Sequence, residues 1–212
     1  MNREKIAFQP IGMIRSQHAA AEKTPIQPVF ARGCRGRAEI FPAYAAGLRD
    51  LEGFSHVYLL YAFHKAGPPK MTVKPFLQDD EHGVFATRAT CRPNPIGMSI
   101  VRLVRREGNV LHLDGLDILD GTPLLDIKPY VGRFDRIETR RNGWQDSVDE
   151  ETAQRRGKRG YAKKATTMCE TTTKCGCTDS RKVDPKKCSK EQIRKCHGDV
   201  KKHPCAGTET KK

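Results

Sequence analysis

The sequence predicts a mainly β fold, a single twisted, barrel-like domain followed by a basic, cysteine-rich tail of low order. Three observations carry this. Apolar and β-branched residues alternate in short runs separated by Gly and Pro turns, few segments sustain a helical period, and large apolar residues become scarce after Trp144. The domain is assigned to residues 1–145 and the extension to residues 146–212.

Seven strands are expected, at Ile6–Ile14, Arg37–Phe41, His56–Phe63, Met71–Phe76, Met98–Arg105, Val110–Asp114 and Leu124–Ile127. Val57 to Phe63 is apolar on both faces, which suits a central strand covered on each side. Pro42–Leu51 is long enough for a short helix between strands. A longer helix is expected over Asp146–Arg156, capped by Asp146 or Ser147.

Charge separates the two parts. Residues 1–150 carry 21 Lys+Arg against 18 Asp+Glu, whereas residues 151–212 carry 18 against 7, so the second stretch holds +11 of the chain's +14. A tail of that charge matches a polyanion, with nucleic acid the commonest intracellular candidate and a membrane surface the weaker one. Pro10, Gly12 and Arg15 interrupt any signal-peptide core, and the longest apolar run is about a third of a membrane span. A cytoplasmic protein with no membrane segment is expected. Its eight cysteines, six of them in the tail, are then reduced thiols open to metals or oxidants.

Three stretches carry polar side chains on rigid backbone. Gly83–Arg88 leads into Arg92-Pro93-Asn94-Pro95-Ile96-Gly97-Met98-Ser99, where two prolines fix the chain on either side of Asn94. Asp114-Gly115-Leu116-Asp117 runs through Asp120 and Gly121 into Leu124-Leu125-Asp126-Ile127-Lys128-Pro129-Tyr130. Four carboxylates within thirteen residues, broken by glycines, suit a cationic or hydroxyl-rich ligand. The same residues have plainer uses. Asn-Pro and Asp-Gly are ordinary turn formers, Asp126 and Lys128 are spaced as an exposed ion pair, and His56 and His64 flank a strand as structural histidines do.

Taken together, Phe8–Gly12, Leu51–His56, Gly83–Arg88, Arg92–Ser99, Gly115–Asp117 and Asp120–Tyr130 resemble, in order and spacing, the TsaA/TrmO (YaeB-like) family of S-adenosylmethionine-dependent tRNA methyltransferases. The resemblance covers about two-thirds of the chain. It implies a β-barrel-like fold assembled as a homodimer with the cofactor near the interface. No Gly-x-Gly-x-x-Gly turn is present, consistent with a fold unrelated to the Rossmann methyltransferases. By position, it places cofactor contacts at Pro25, Ile26, Gln27, His64, Lys65, Arg88, Met98 and the run Asp114, Gly115, Leu116 and Asp117, with Ile26 replacing an arginine of the family pattern. The implied substrate is the threonylcarbamoyl-modified adenosine beside the anticodon of a tRNA, methylated on N6.

The nitrogen to be methylated is urea-like and weakly nucleophilic, so a group that draws on its proton would help. Asp126, with Lys128 and Tyr130 beside it, is the candidate, and Asn94 is placed to orient the base. Two other readings stand beside this one. In the first, a cofactor-binding β domain serves a metal- or RNA-binding tail, whose Cys169, Cys175, Cys177, Cys188, Cys196 and Cys205 supply enough thiolates for zinc but lack paired Cys-x-x-Cys knuckles. In the second, the methyltransferase acts on another substrate.

Overall fold

The computed structural model describes residues 6–159. Six strands close an antiparallel barrel in the order β1-β2-β7-β6-β3-β8, and a two-stranded hairpin, β4-β5, stands apart from it. The barrel strands are β1 Gly12–Ser16, β2 Arg35–Ile40, β3 His56–Ala62, β6 Ile96–Glu107, β7 Val110–Asp114 and β8 Thr122–Pro129. The hairpin pairs β4 Thr72–Val73 with β5 His82–Gly83. Closure of β1 onto β8 leaves no exposed sheet edge on the barrel.

Alternation sets inside from outside. Ile14, Ala38, Val57, Leu59, Val101, Leu111, Leu113 and Leu124 are all fully buried within the barrel, and their strand neighbours face outward. A six-stranded barrel is narrow, so side chains fill it. Leu116 and Ile118, from the loop between β7 and β8, join that core and are also fully buried. Gly36 makes room for this loop, since a Cβ there would lie 2.5 Å from Leu116 Cδ1.

Several expected elements fall elsewhere. The first strand begins at Gly12, preceded by Ile11, whose N donates to Leu124 O of β8 at 2.8 Å. The Met71–Phe76 strand shrinks to Thr72–Val73, while β6 extends beyond its expected span at both ends. Pro42–Leu48 and Leu51–Gly53 form 3-10 turns in place of one helix, separated by Asp50 in the left-handed region at φ 66°. β3 is covered fully on one face only: Val57, Leu59 and Tyr61 are buried, whereas His56, Tyr58, Leu60 and Ala62 are half-buried.

After the short helix α1, Gly132–Asp135, the second helix α2 spans Glu150–Gly157 and is capped by Asp149, whose side chain accepts from Thr152 N. The expected caps are occupied otherwise. The Asp146 carboxylate accepts from the backbone and side chain of Asn142, and Ser147 Oγ donates to Trp144 O, so both close the preceding 3-10 turn at Gly143–Ser147. Contacts with the barrel domain continue past residue 145. Ile26 N donates to Gly157 O at 3.0 Å, and Arg156 pairs with Asp79. Among the described residues no helix is long and apolar enough to cross a membrane.

Candidate functional site

Strand register places five of the sequence-predicted residues on one outer face of the barrel. Across β7, β6 and β3, Asp114 stands opposite Arg102 and Arg102 opposite His56, while Tyr130 N donates to His56 O. The next row is Ile100, Tyr58 and Lys128, and the one after it Met98, Leu60 and Asp126. Neighbouring strands are about 4.8 Å apart, so Met98 and Asp126 are separated by about 10 Å and Asp114 and Tyr130 by about 14 Å across the sheet. Asp126 and Lys128 form an ion pair, Nζ to Oδ2 2.9 Å. The ring centroids of Tyr58 and Tyr130 lie 5.7 Å apart, and those of His56 and Tyr130 6.4 Å.

A second cluster gathers at the loop after β7. Ser99 faces inward beside outward-facing Met98, and its hydroxyl donates to Asp117 Oδ1 at 2.7 Å while lying 2.9 Å from the Tyr61 hydroxyl. Gly97 permits this, because a Cβ there would collide with the Tyr61 ring. Burial pushes the Asp117 carboxyl up to about 7, against the opposing pull of the Ser99 hydroxyl and the Arg88 charge. Burial likewise raises Tyr61 well above the usual phenol value, keeping it a neutral hydroxyl. Arg88 itself donates to Gln27 Oε1, which joins the Pro25–Gln27 segment to this end of the barrel.

The four closely spaced carboxylates have separate duties. Asp114 is bound by Arg102 Nη2 at 2.7 Å, which holds its carboxyl below the usual range. Backbone amides of Gly33 and Gly115 add to that effect, yet Asp114 Oδ1 is buried with no donor in hydrogen-bond geometry among the described residues. Asp120 ties the loop to β1 by accepting from Ser16 N at 2.9 Å, and Ser16 Oγ donates to Ile118 O at 2.6 Å. Asp126 is paired with Lys128. Leu116 serves as core, whereas Gly115, at φ 85°, takes the left-handed turn that leads into Asp117.

Of the remaining predicted residues, Pro25 is buried, Ile26 and Gln27 are half-buried, and His64, Lys65 and Asn94 are exposed. Phe63 N donates to Pro95 O at 2.7 Å, so the Asn94 loop lies beside the segment bearing His64 and Lys65. Ser99, Tyr61 and Arg102 were not among the predicted site residues. Ser99 ends one of the quoted motifs, and alternation from inward-facing Gly97 was the signal that could have found it.

These residues suit S-adenosylmethionine on chemical grounds. An orphaned buried carboxylate oxygen awaits a hydroxyl or ammonium donor, a second carboxylate with a raised pKa would be stabilised by a cation, and a guanidinium matches the cofactor's carboxylate. No cluster of three or more His, Cys, Asp or Glu suitable for a metal occurs among the described residues. The cysteines proposed for zinc lie outside them.

Comparison with known proteins defines the class and then the family. The model of the tRNA-methyltransferase O N-terminal domain matches residues 13–136, more than half of the chain. The chain is 52% identical over 139 residues to a Pyrococcus abyssi protein named "Probable S-adenosyl-L-methionine-binding protein", covering 66% of this chain and 76% of that one. It is 41% identical over 134 residues to the human tRNA (adenine(37)-N6)-methyltransferase, covering 60% of this chain and 30% of the human one. A crystal structure of TrmO from Pseudomonas aeruginosa superposes with a TM-score of 0.56 at 44% identity, covering 66% of this chain and 63% of that one. Barrel and likeness together place the chain in the class of β-barrel, S-adenosylmethionine-dependent methyltransferases. Within that class, the chain belongs to the tRNA-methyltransferase O family. It spans less than two-thirds of the human and Pseudomonas proteins.

Proposed function

We propose that this protein methylates the N6 nitrogen of a threonylcarbamoyl-modified adenosine next to the anticodon of a tRNA, using S-adenosylmethionine and acting as a homodimer in the cytoplasm. The observation that carries the cofactor assignment is the gathering of Asp117, Ser99 and Arg88 at the loop that follows Asp114 and Gly115. Family membership supports the RNA substrate.

Bound S-adenosylmethionine supplies the electrophilic methyl group. To hold it, Asp114 would accept from its hydroxyls, Asp117 would balance its positive charge, and Arg88, steadied by Gln27, would hold its carboxylate. Asp126 takes the proton released as the substrate nitrogen gains the methyl group. Lys128 Nζ, 2.9 Å from Asp126 Oδ2, holds that carboxylate in place. Tyr130 and Asn94 position the base. Most of the acceleration comes from alignment of nitrogen and methyl carbon.

The dimer is supported by the apolar character of the same outer face. Met98 is 51% exposed, and Ile96, Ile100 and Val104 are also exposed along β6. Such a strip on a closed barrel suits a second copy. Sedimentation of the full chain and of Ile100→Lys tests it, with a dimer expected for the first and a monomer for the second. For the reaction, labelled S-adenosylmethionine is incubated with tRNA that carries or lacks the threonylcarbamoyl group. Methyl incorporation is expected only in the first, and equal incorporation, or none, would overturn the substrate.

A further inference from the structure

Residues 143–159 lie beyond the family-matched stretch, which ends at 136, yet they touch both segments that supply Gln27 and Arg88. On the Arg88 side, Trp144 Nε1 donates to Ala86 O at 2.8 Å, and its ring stacks on His82 with centroids 5.2 Å apart. Arg156 binds Asp79 through two bonds of 3.0 and 3.1 Å, an Arg–carboxylate fork that fixes orientation as well as distance.

The Gln27 side is held by the end of α2. Ile26 N donates to Gly157 O at 3.0 Å, and Gly157 is the buried residue of the helix, packed on Phe30. A Cβ at Gly157 would lie 2.5 Å from the Phe30 ring, so glycine sets how closely helix and loop approach. Arg159 then turns back in the left-handed region, at φ 53°. Its Nη1 donates to Ala21 O at 2.7 Å, and its guanidinium sits 4.2 Å from the Phe76 ring centroid. One short segment therefore ties residues 21–30 to residues 76–86, and Arg88, two residues past the second stretch, donates to Gln27 in the first.

We propose that residues 143–159 form a strap that positions Gln27 and Arg88 for the cofactor, with Trp144, Arg156 and Gly157 as its positioning residues. This rests on the assignment of Gln27 and Arg88 to the cofactor. The strap adds directional bonds to both loops.

The test uses the full chain and two variants, Gly157→Val, which forces helix and loop apart, and Arg156→Asp, a surface change that leaves the core intact. Amide hydrogen exchange reads the loop, and calorimetry with S-adenosylmethionine reads the site. Exchange at Ile26 is expected to quicken about tenfold in Gly157→Val, and the dissociation constant for S-adenosylmethionine to rise about tenfold in each variant. Adding Asp79→Arg to Arg156→Asp should restore most of the affinity, which a general loss of stability would not allow. Unchanged exchange at Ile26 in Gly157→Val would overturn the strap. Faster exchange with unchanged affinity would overturn its positioning role. No binding of S-adenosylmethionine by the unaltered chain would overturn the assignment of Gln27 and Arg88, and the positioning role with it, while the exchange data would still report whether the segment holds the loop.

Discussion

The Asp117 carboxyl is pushed up to about 7 because the fold withdraws it from water, which the Ser99 hydroxyl, its own backbone amide and the Arg88 charge offset only in part. An unfolded aspartate ionises near 3.8, so between that value and about 7 the folded state holds a proton that the unfolded state has released. Stability from this group is complete below the lower value and is lost as pH rises through the upper one. Thermal melts from pH 4 to pH 8 should show this fall in the native chain and lose it in Asp117→Asn, with the variant gaining relative to wild type as pH rises. A cationic cofactor favours the ionised carboxylate, so affinity for S-adenosylmethionine should strengthen through the same window in the native chain and stay flat in Asp117→Asn, as calorimetry at pH 6 and 8 would show. Asp126 differs in kind, being half-exposed and paired with Lys128. Asp126→Ala should lower kcat by about 10²-fold or more, the range of a general base, with little change in cofactor affinity. Asn94→Ala should act in the same direction, whereas Arg88→Ala should mainly weaken cofactor binding. Steady-state kinetics with varied S-adenosylmethionine separates these outcomes, and an unchanged kcat in Asp126→Ala would remove it as the base.

Strand β3 shows how far an element can be read from its residues. Seven successive apolar side chains mark a strand but not which face is the core, because alternation carries no signal when both faces are apolar. Register supplies the answer: Leu59 is fully buried opposite Ser99 and Ile127, while Leu60 is half-buried opposite Met98 and Asp126. Leu59→Ala should therefore cost about 2–5 kcal/mol in urea unfolding, and Leu60→Ala distinctly less in the monomer. The β7 segment was legible because polar and apolar residues alternate along it, as in Leu111, His112, Leu113 and Asp114, whereas the outer face of β6 is itself largely apolar. Of the hairpin, β4 lay inside the longer strand expected at Met71–Phe76 and β5 was not expected, since two-residue strands leave almost no periodic trace. Cap choice at α2 was hidden for another reason. Asp146, Ser147 and Asp149 are all competent caps, but Asp146 is engaged by Asn142 and Ser147 by Trp144 O, which leaves Asp149 to cap the helix.

At the scale of the whole molecule, the site was legible as a set of motifs but not as a surface, since only barrel register shows that Asp114, Met98, Asp126, Lys128 and Tyr130 share one outer face. Register also separates them from inward-facing Ser99, which sequence adjacency to Met98 would have grouped with them. The basic extension divides in a similar way. Arg156 and Arg159 belong to its densest charge cluster, yet Asp79, Ala21 and Phe76 already engage them. A sequence-independent RNA clamp must therefore draw chiefly on residues 160–212, which carry 14 Lys+Arg against 6 Asp+Glu, net +8. Each phosphate neutralised releases a condensed counterion, so every such ion pair steepens the fall of log affinity with log salt by roughly 0.7 for single strands and 0.9 for duplex. Deleting residues 160–212 should raise KM for tRNA and flatten its salt dependence in proportion to the phosphates those residues neutralise. The proposed cofactor site, strap and proton acceptor all lie before residue 160, so kcat at saturating tRNA should stay close to that of the full chain. Cutting after residue 142 also removes Trp144, Arg156 and Gly157 and should in addition weaken S-adenosylmethionine binding. Titrations of the full chain and of the chain ending at 159 with tRNA, at several salt concentrations, decide the matter: superimposable slopes would eliminate the clamp, and a shallower slope with intact kcat would assign substrate capture to the extension and nucleotide choice to the barrel.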